Sequence, residues 1–405
     1  MKVDTMRFID KWVGIPFTFF FTIILFLFEK LLFIKEKIPN TKRTLFIELS
    51  EMGSAVLVDP AMRKLRDERQ SELFFVIFQE NYKSLQILNT IPEDHIFKMR
   101  ANNLMNLAKD VVRYIFWCRS KKITTVIDLE LFSRFTALLS GLSGARSRIG
   151  FTTFHDEGMY RGSIINKTVR YNPHVHITVN FISLVNCALN LFHNPYATEP
   201  IKQTEIKLAQ ANLNDFDIPG VKKKIGDLYP GWESKRIVII NPNASDLLPQ
   251  RRWLPEYFVN IGKDLISSFK DILIIATGAP SERDYVQKVV DQIGNDRCVN
   301  SAGIFDFLEL IPLYSLSTLM LTNDSGPAHF SSVTPLKVFV IMGPETPSLY
   351  GPLGNAEALF LGLPCSPCVS AANHRKTTCI SRPCITGIKP EWVSVKLKNH
   401  LVNSY

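Results

Sequence analysis

The stretch Leu321-Thr-Asn-Asp-Ser-Gly-Pro-Ala-His329 decides how this chain folds, together with the apolar run from Val338 to Met342 that follows it. The pattern predicts a strand at 318–322, a polar turn, a short helix at 325–330 and a second strand. In a parallel sheet, a strand that opens directly into a helix aims backbone N–H groups and the helix dipole at the carboxyl edge. The stretch therefore predicts an anion site.

Four residues of this turn are candidate ligand contacts. Asp324 is suited to a hydroxyl or ammonium group, and Ser325 and the Gly326 amide are suited to phosphate oxygens. His329 follows about one helical turn later, on the same face. The alternative is that Asp324 and Ser325 only cap the helix.

Apolar runs of this kind recur along the chain and alternate with amphipathic stretches. A first series lies at 43–49, 72–78 and 124–129, and a second at 236–240, 271–276, 318–322 and 337–342. A polar, lysine-rich stretch at 214–235 separates them. This alternation of strands and helices predicts an α/β fold with two parallel, doubly wound sheets.

Composition and net charge limit the kinds of binding partner that the sequence predicts. The chain has 405 residues, is 46% hydrophobic and 21% charged, and carries a formal net charge of +9. It is long enough for two domains with full cores. An excess of positive charge suits nucleic acid, an anionic membrane or phosphorylated substrates. Because the basic residues are dispersed and no nucleic-acid-binding signature is found, the sequence favours the last two.

The N-terminal region predicts a membrane anchor. Residues 12–28 carry no charge. This uncharged run is at the short end of the length needed for a bilayer span, and Pro16 lies near the start of the run. A spanning or re-entrant helix is one interpretation, and a helix lying on the membrane face or on the protein itself is the other. The flanking lysine and arginine residues favour a cytoplasmic body.

Two further loops follow predicted strands of the second series. The loop from Asn241 offers the Ser245 hydroxyl and the guanidinium groups of Arg251 and Arg252, which suit a diphosphate because they bind its oxygens bidentately. The alternative is a solvated turn with a helix-capping serine. The loop at 277–282 places Glu282 at a strand end, either for a ribose hydroxyl or as an ordinary first-turn helix acid.

Five motifs together resemble glycosyltransferase family nine, the lipopolysaccharide heptosyltransferase family. They are TNDSGPAHF at 322–330 with Gly343-Pro-Glu-Thr346, the block from NPNAS to RRW at 241–253, LSEMGSAVLVDPAMRKLR at 49–66, Arg148-Ile-Gly150 and His176. The resemblance implies a GT-B fold, with two Rossmann-like domains facing a cleft. It predicts an anchoring helix at 1–40, an acceptor domain at 41–215, a nucleotide-sugar domain with a cysteine-rich loop at 216–390, and a C-terminal helix at 391–405.

The resemblance also implies a function. It predicts inverting transfer of a heptose or similar sugar from a nucleotide-diphosphate donor to a hydroxyl of lipopolysaccharide or another cell-envelope glycan. The expected location is the inner membrane, with the domains facing the cytoplasm, and the expected partners are donor, glycolipid acceptor and membrane but no nucleic acid. The alternative is a catalytically inactive relative that binds nucleotide sugars or glycans.

By the same resemblance, the donor lies against residues from all three loops of the second series. They are Ser245, Arg251, Asp324, Ser325, Gly326 and His329, with Glu282 at the ribose. No divalent metal is required, because cationic side chains and helix N-termini stabilise the leaving diphosphate.

One position departs from the family pattern. Relatives carry Gly-Asp in the loop after the first strand, where the aspartate is the expected general base, but this chain has Gly53-Ser54. Serine is not an effective base at neutral pH. The nearest replacements are Glu51, Asp59 and the acids at 156–157, with the alternative that Glu51 is a solvated loop acid.

Four cysteines near the C-terminus form a separate motif. Cys365, Cys368, Cys379 and Cys384 have the spacing C-x2-C-x10-C-x4-C, with His374 between them. This spacing allows a structural, tetrahedral zinc site. The alternative is a group of unligated or paired thiols.

Overall fold

A computed structural model describes residues 3–31, 38–50, 52–131, 133–152, 160–192, 195–371, 373 and 375–403. Glu51, Asp156, Glu157 and His374 lie outside the described residues. The chain divides into two compact units, Met1–Lys207 and Leu208–Tyr405, a few residues before the predicted boundary at 215/216.

The first unit is built on six parallel strands in the order β3-β2-β1-β4-β5-β6. The strands are β1 Arg43–Ile47, β2 Glu72–Phe78, β3 Ile96–Met99, β4 Thr125–Asp128, β5 Ser147–Thr152 and β6 Lys167–Arg170. Leu45 of β1 pairs with Phe74 of β2 on one side and Val126 of β4 on the other. The predicted strands are confirmed, and the strand order reverses at β1/β4, where such sheets open a crevice.

The helices of this unit cover the sheet. They are α1 Val3–Trp12, α2 Gly14–Leu31, α3 Met52–Leu57, α4 Asp59–Arg69, α5 Lys83–Gln86, α6 Leu104–Ser120, α7 Arg134–Leu142 and α8 Ile177–Ala188. The α6 helix begins where the Asn103 side chain accepts a hydrogen bond from Asn106 N–H, 2.8 Å away. Its buried face packs Tyr114 and Cys118 into the core with Phe97.

The second unit repeats the plan, with strand order β12-β11-β10-β7-β8-β9. Its strands are β7 Arg236–Asn241, β8 Ile272–Ala276, β9 Cys298–Asn300, β10 Ser317–Asn323, β11 Lys337–Ile341 and β12 Ala356–Leu359. Its helices are α9 Ile218–Leu228, α10 Pro255–Ser268, α11 Arg283–Ile293, α12 Leu310–Ser315, α13 Gly326–Phe330, α14 Pro347–Tyr350, α15 Pro383–Thr386 and α16 Pro390–Asn403. The order reverses between β7 and β10.

Both ends of the second unit are helices with buried apolar side chains. The lysine-rich stretch at 214–235 contains α9, which buries Val221 and Ile225, one turn apart. The predicted C-terminal helix is α16, whose Val393, Leu397 and Leu401 are fully buried in the core. The spacing of four residues places these apolar side chains on one helix face.

The N-terminal helices belong to the first unit rather than forming a separate segment. By length and composition, α2 is the one helix of the described residues that could cross a membrane, with a mean hydropathy of 1.7. Two ion pairs hold these helices to the unit. Asp10 lies 3.2 Å from Arg134, and Glu29 lies 2.6 Å from Arg148.

We expect Glu29→Gln to destabilise the first unit. The substitution leaves Arg148, whose side chain is 4% exposed, without its carboxylate. Removing one partner of a fully buried pair costs about 3–5 kcal/mol. Because Glu29 is 32% exposed, solvent screening should reduce the loss to roughly 1–3 kcal/mol. Urea denaturation of the full chain in mild detergent measures it.

The control is Asp227→Asn, which removes an ion pair with Lys223 whose side chains are 68% and 81% exposed. We expect this change to cost less than about 0.5 kcal/mol. Equal losses in the two variants would show that the Glu29 pair does not hold the helix.

A buried carboxylate ends the central strand β4. Asp128 accepts hydrogen bonds from Thr136 Oγ1 at 3.0 Å and Glu130 N–H at 3.2 Å, and Arg161 Nη1 lies 3.4 Å away. Burial raises the pKa of Asp128 from 3.8 to about 7, although the Arg161 charge lowers it. The folded chain therefore keeps a proton on Asp128 at pH values where the unfolded chain has lost it.

This proton makes stability depend on pH. The contribution of Asp128 is complete below about pH 4 and is lost as the pH rises towards 7. Asp128→Asn should flatten this part of the unfolding free-energy profile, at about 1.4 kcal/mol for each unit of pKa difference removed. Denaturant titrations at pH 4, 5.5 and 7 measure the slope. An unchanged slope would contradict the raised pKa, and Asp227→Asn is again the control.

Candidate functional site

The carboxyl edge of the second sheet brings the three predicted loops side by side. The strand order places the ends of β8, β7, β10 and β11 next to one another. The loops at 277–282, 242–253 and 324–329 follow the first three of these strands, and Gly343-Pro-Glu follows the fourth. The order reverses between β7 and β10, at the middle of this row, where doubly wound sheets bind ligands.

Asn323, the last residue of β10, fixes the loop after β7 in place. Its Oδ1 accepts a hydrogen bond from Trp253 N–H at 2.8 Å, and its Nδ2 donates to the Asn243 carbonyl at 3.2 Å. Asn323 and Trp253 are fully buried. Trp253 Nε1 also donates to the Ile388 carbonyl at 2.8 Å. The loop is therefore held at both of its ends.

This anchoring brings Arg251 against two buried carboxylates. Arg251 Nε lies 3.3 Å from Asp324 Oδ2, and Arg251 Nη2 lies 3.7 Å from Glu345 Oε2. Arg375 Nε lies 3.8 Å from the same Glu345 oxygen. The guanidinium of Arg375 also stacks on the Tyr350 ring, 4.6 Å from its centroid. Two cations and two anions thus form one network, with both carboxylates nearly inaccessible to solvent.

The central ion pair is poorly aligned. Arg251 Nε and Asp324 Oδ2 are buried, yet neither atom makes a hydrogen bond within the described part of the chain. Leaving a buried polar atom without a hydrogen bond costs about 1–3 kcal/mol, so such atoms in a native protein need an explanation. A ligand with an anionic group and a hydroxyl would provide partners to both.

The turn after Asp324 has the predicted geometry. Ser325 precedes α13 but its side chain does not cap the helix; Ser325 Oγ instead donates to the Asn323 carbonyl at 3.2 Å. The alternative of a simple capping serine is therefore not what the structure shows. A Cβ at Gly326 would lie 2.9 Å from the Phe330 ring, so a larger residue there would require that ring to move. His329 follows on the same short helix and is 9% exposed.

The two arginines of the loop after β7 have different surroundings. Arg252 donates from Nε and Nη2 to the Ala244 carbonyl at 2.8 and 2.6 Å and pairs with Asp246, so it shapes the loop itself. Ser245 is exposed and its Oγ accepts from Leu247 N–H at 3.2 Å. Of the two predicted cations, Arg251 is therefore the one that faces the buried acids.

Glu282 caps its own helical turn. Its Oε2 accepts a hydrogen bond from Ala279 N–H at 2.7 Å, within the turn that precedes α11. This is the ordinary role of an acid in a first turn. A contact of Glu282 with a ribose stays a prediction.

Two of the positions considered for the general base, Ser54 and Asp59, lie among the described residues that follow β1. Ser54 lies in α3 and is 6% exposed. Asp59 is 1% exposed, and both its oxygens are engaged, Oδ2 by Arg63 Nε at 2.7 Å and Oδ1 by Thr90 Oγ1 at 2.5 Å. Because both oxygens are engaged, the structure does not support Asp59 as the base. The Asp59 side chain instead anchors the start of α4.

Sequence analysis did not identify Glu130, which the structure places against the loop after β1. Its Oε1 accepts hydrogen bonds from Leu49 N–H at 3.0 Å, Ser50 N–H at 3.1 Å and Ser50 Oγ at 2.9 Å. Glu130 follows a buried strand just as Asp324 does, and this position was the available signal. Glu345 was likewise missed, although its motif was noted.

The four C-terminal cysteines lie in one neighbourhood as free thiols. Burial raises the pKa of Cys384, and the nearby Cys368, Cys365 and Cys379 raise it further. Cys368 Sγ donates to Thr377 Oγ1 at 3.6 Å. Within the described ranges, no three His, Cys, Asp or Glu side chains are placed to hold a metal ion. The zinc site stays a prediction.

Comparison with solved structures shows a shared fold. The ADP-heptose LPS heptosyltransferase II of E. coli superposes with a TM-score of 0.69 at 16% identity, over 89% of this chain and 99% of that one. A family 9 glycosyl transferase from Veillonella parvula gives 0.68 at 18% identity, over 90% and 98%. These matches confirm the predicted GT-B fold class.

Two sequence relatives are also similar. The lipooligosaccharide heptosyltransferase 2 of Campylobacter jejuni serotype O:2 is 31% identical over 204 residues, which are 48% of this chain and 60% of that protein. The protein of the same name from Haemophilus influenzae is 24% identical over 114 residues, 28% of this chain and 33% of that protein. The chain thus spans less than two thirds of the length of these relatives.

A sequence model of the family covers more of the chain. The model described as glycosyltransferase family 9 (heptosyltransferase) matches residues 119–378. This range contains β10, the turn at Asp324, and the loop with Arg251. The chain belongs to glycosyltransferase family 9, the heptosyltransferase family.

Proposed function

We propose that this protein is an inverting glycosyltransferase that moves a heptose or similar sugar from a nucleotide-diphosphate donor to a hydroxyl of lipopolysaccharide or another cell-envelope glycan. Family membership supports the class of reaction. The observation that carries the proposal is the buried, poorly aligned pair of Arg251 and Asp324. It lies at the strand-order reversal of the second sheet, where such folds bind nucleotides.

In this proposal, Arg251 and Arg375 bind the diphosphate. Negative charge grows on the leaving oxygen as the bond to the sugar breaks, and fixed guanidinium groups stabilise it without a metal ion. Glu345, 2% exposed, holds both arginines in place. Asp324 is then released from Arg251 and accepts a hydrogen bond from a donor hydroxyl. Ser325 and the Gly326 amide supply neutral donors to the phosphate oxygens.

The acceptor hydroxyl needs a base that takes its proton as it attacks the anomeric carbon. Ser54 cannot do this at neutral pH. We propose that a carboxylate of the loops after β1 and β4 does so, with Glu51 and Glu130 as the candidates. Glu130 is placed by three hydrogen bonds from the loop after β1. Since such bonds stabilise the charged form, they would weaken it as a base, which leaves Glu51 as the first candidate to test.

The names of the relatives support the acceptor class. The Campylobacter jejuni relative is a lipooligosaccharide heptosyltransferase, and we propose a glycolipid acceptor for this chain too. A glycolipid acceptor is consistent with an enzyme that acts at the cytoplasmic face of the inner membrane.

The second candidate function is that of a nucleotide-sugar or glycan-binding relative without transferase activity. One observation favours it, the serine at position 54.

Arg251→Gln and Asp324→Asn should each weaken donor binding. A hydrogen bond to a charged group contributes about 1.5–3 kcal/mol, which corresponds to roughly a 10- to 150-fold rise in Kd. Isothermal titration of the full chain with ADP-heptose, then with other nucleotide sugars, measures the effect.

The matched control is Lys223→Gln, a cation of the same unit that is 81% exposed. We expect its donor affinity to equal that of the unsubstituted protein. Unchanged affinity in both site variants, with a preserved circular dichroism spectrum, would remove the site assignment.

The acceptor side is tested by transfer rates. If Glu51 is the base, Glu51→Gln should lower kcat at least a hundredfold, because general base catalysis typically contributes about 10²- to 10⁴-fold. Glu130→Gln separates a base from a residue that only positions the loop, since a positioning role should shift KM more than kcat. Ser54→Asp should raise the rate or leave it unchanged.

Two results would revise the proposal in different ways. Full rates in Glu51→Gln and Glu130→Gln would exclude both carboxylates as the base. A protein that binds nucleotide sugars but transfers none to any envelope glycolipid would favour the binding relative instead.

A further inference from the structure

One face of the N-terminal helices contacts the first unit along its whole length. The contacting residues are Asp10, Gly14, Thr18, Phe21, Thr22, Leu25 and Glu29. Apart from the adjacent pair Phe21 and Thr22, they recur every three or four residues, so they lie on one side of the helix. Hydrogen bonds from Val13 N–H to Ile9 O at 2.9 Å and from Phe17 N–H to Val13 O at 3.2 Å continue the helical pattern from α1 into α2.

Both ends of this helical segment are held by charges. Near its start, Asp10 Oδ1 accepts hydrogen bonds from the N–H groups of Arg134 and Phe135 at 3.0 and 2.9 Å, at the first turn of α7. Near its end, Glu29 pairs with Arg148 of β5 at 2.6 Å. The side chains of Arg134 and Arg148 are 8% and 4% exposed. The segment is therefore fastened to the unit at two points 19 positions apart in sequence, Asp10 and Glu29.

The middle of the contact is close and partly polar. Thr18 is fully buried, and Ser163 N–H donates to Thr22 Oγ1 at 3.3 Å. Glycines of the body allow this approach, because a Cβ at Gly141 would overlap Phe21 and one at Gly162 would overlap Thr22. The side of α2 that faces the protein thus combines small and hydroxyl-bearing residues with Phe21 and Leu25.

The opposite side of α2 is apolar and uncovered. Only 11% of this helix is buried. The exposed large apolar residues are Ile15, Phe17, Phe19, Phe20, Ile23, Ile24, Phe26, Leu27, Phe28 and Leu31, between 37% and 75% exposed. A surface helix in water normally has the reverse arrangement, with its apolar side packed inward. The pattern indicates that the outward side of α2 meets a hydrocarbon environment.

The charges around this surface match an anionic membrane. Lys11 lies over the Trp12 ring at 5.4 Å and Lys30 over the Phe26 ring at 5.9 Å, so a cation stands at each end of α2. Long lysine side chains reach from such a position to lipid headgroups. Helix α6 of the same unit also exposes apolar side chains, those of Met105, Val112 and Phe116.

We propose that the outward side of α2 is inserted in one leaflet of an anionic phospholipid bilayer, and that the helix lies along the protein body without crossing the membrane. Because the helical segment is attached to the first unit at Asp10 of α1 and at Thr22 and Glu29 of α2, it cannot cross a membrane apart from that unit. This inference is independent of the proposed transferase activity.

Binding to vesicles tests the surface. The full chain should float with vesicles of phosphatidylglycerol and phosphatidylethanolamine and bind less to pure phosphatidylcholine. Replacing Phe20, Ile24 and Leu27 together by asparagine should lower the partition coefficient at least a hundredfold. The melting temperature should stay unchanged, because these side chains contact solvent or lipid and not the body.

The matched control replaces three equally exposed apolar residues of the second unit, Ile380, Val395 and Val402, by asparagine. Its flotation should equal that of the unsubstituted protein. Equal losses in both triple variants would overturn the proposal. A lipid-free dimer in analytical ultracentrifugation that the first triple variant abolishes, without any vesicle binding, would assign the surface to a second copy and also overturn it.

Topology distinguishes a helix in one leaflet from a spanning helix. A protease site is placed ahead of Met1, and inverted inner-membrane vesicles are prepared from expressing bacterial cells. We expect cleavage without detergent, on the side where the body is also digested. Cleavage of the N-terminal site only after detergent, with the body cut before, would show that the helix crosses.

Discussion

The candidate donor site depends on the two hydrogen bonds of the Asn323 side chain. In a doubly wound sheet, the loops at the strand-order reversal belong to segments far apart in sequence, and nothing in the backbone ladder joins them. Asn323 joins them here, with its Oδ1 bound to Trp253 N–H and its Nδ2 to the Asn243 carbonyl. A buried amide with both ends satisfied is stable in this position. Together with the bond from Trp253 Nε1 to the Ile388 carbonyl, it holds the loop that carries Arg251 beside Asp324.

The ionic groups around this anchor are arranged as a compensated network. Arg251, Arg375, Asp324 and Glu345 carry two charges of each sign, so their burial avoids the cost of an isolated charge. The charges are balanced but the hydrogen bonds are not all made, since Arg251 Nε and Asp324 Oδ2 lie close together without being aligned. This mismatch supports the proposal that the network binds a ligand. The carboxylates of Asp59 and Asp110 show the contrast, because both oxygens of each are hydrogen-bonded within the unit.

The N-terminal helix shows a different constraint, a reversal of the usual side-chain pattern. Its sequence is apolar on nearly every position, which left open whether it crosses a membrane, lies on its surface or covers the protein. The side of the helix that faces the unit is identified by three threonine and glycine positions and by two ion pairs. Those residues contribute little to hydropathy, so no average over the segment could have identified them. The partners Arg134, Arg148 and Gly162 lie more than a hundred residues away in sequence.

The sequence alone determined the α/β class, most strands, the family resemblance and the turn at Asp324, because alternating apolar periodicity and strand-end motifs are local properties. The tertiary structure decided which strand-end residues meet. It separated Arg251 from Arg252, which the sequence presents as equals, and made Glu282 a helix cap and Asp59 an anchor of α4. It also added Asn323, Glu345 and Glu130. Such choices depend on strand order and side-chain direction, which bring together residues distant in sequence, and a local pattern contains no information about that pairing.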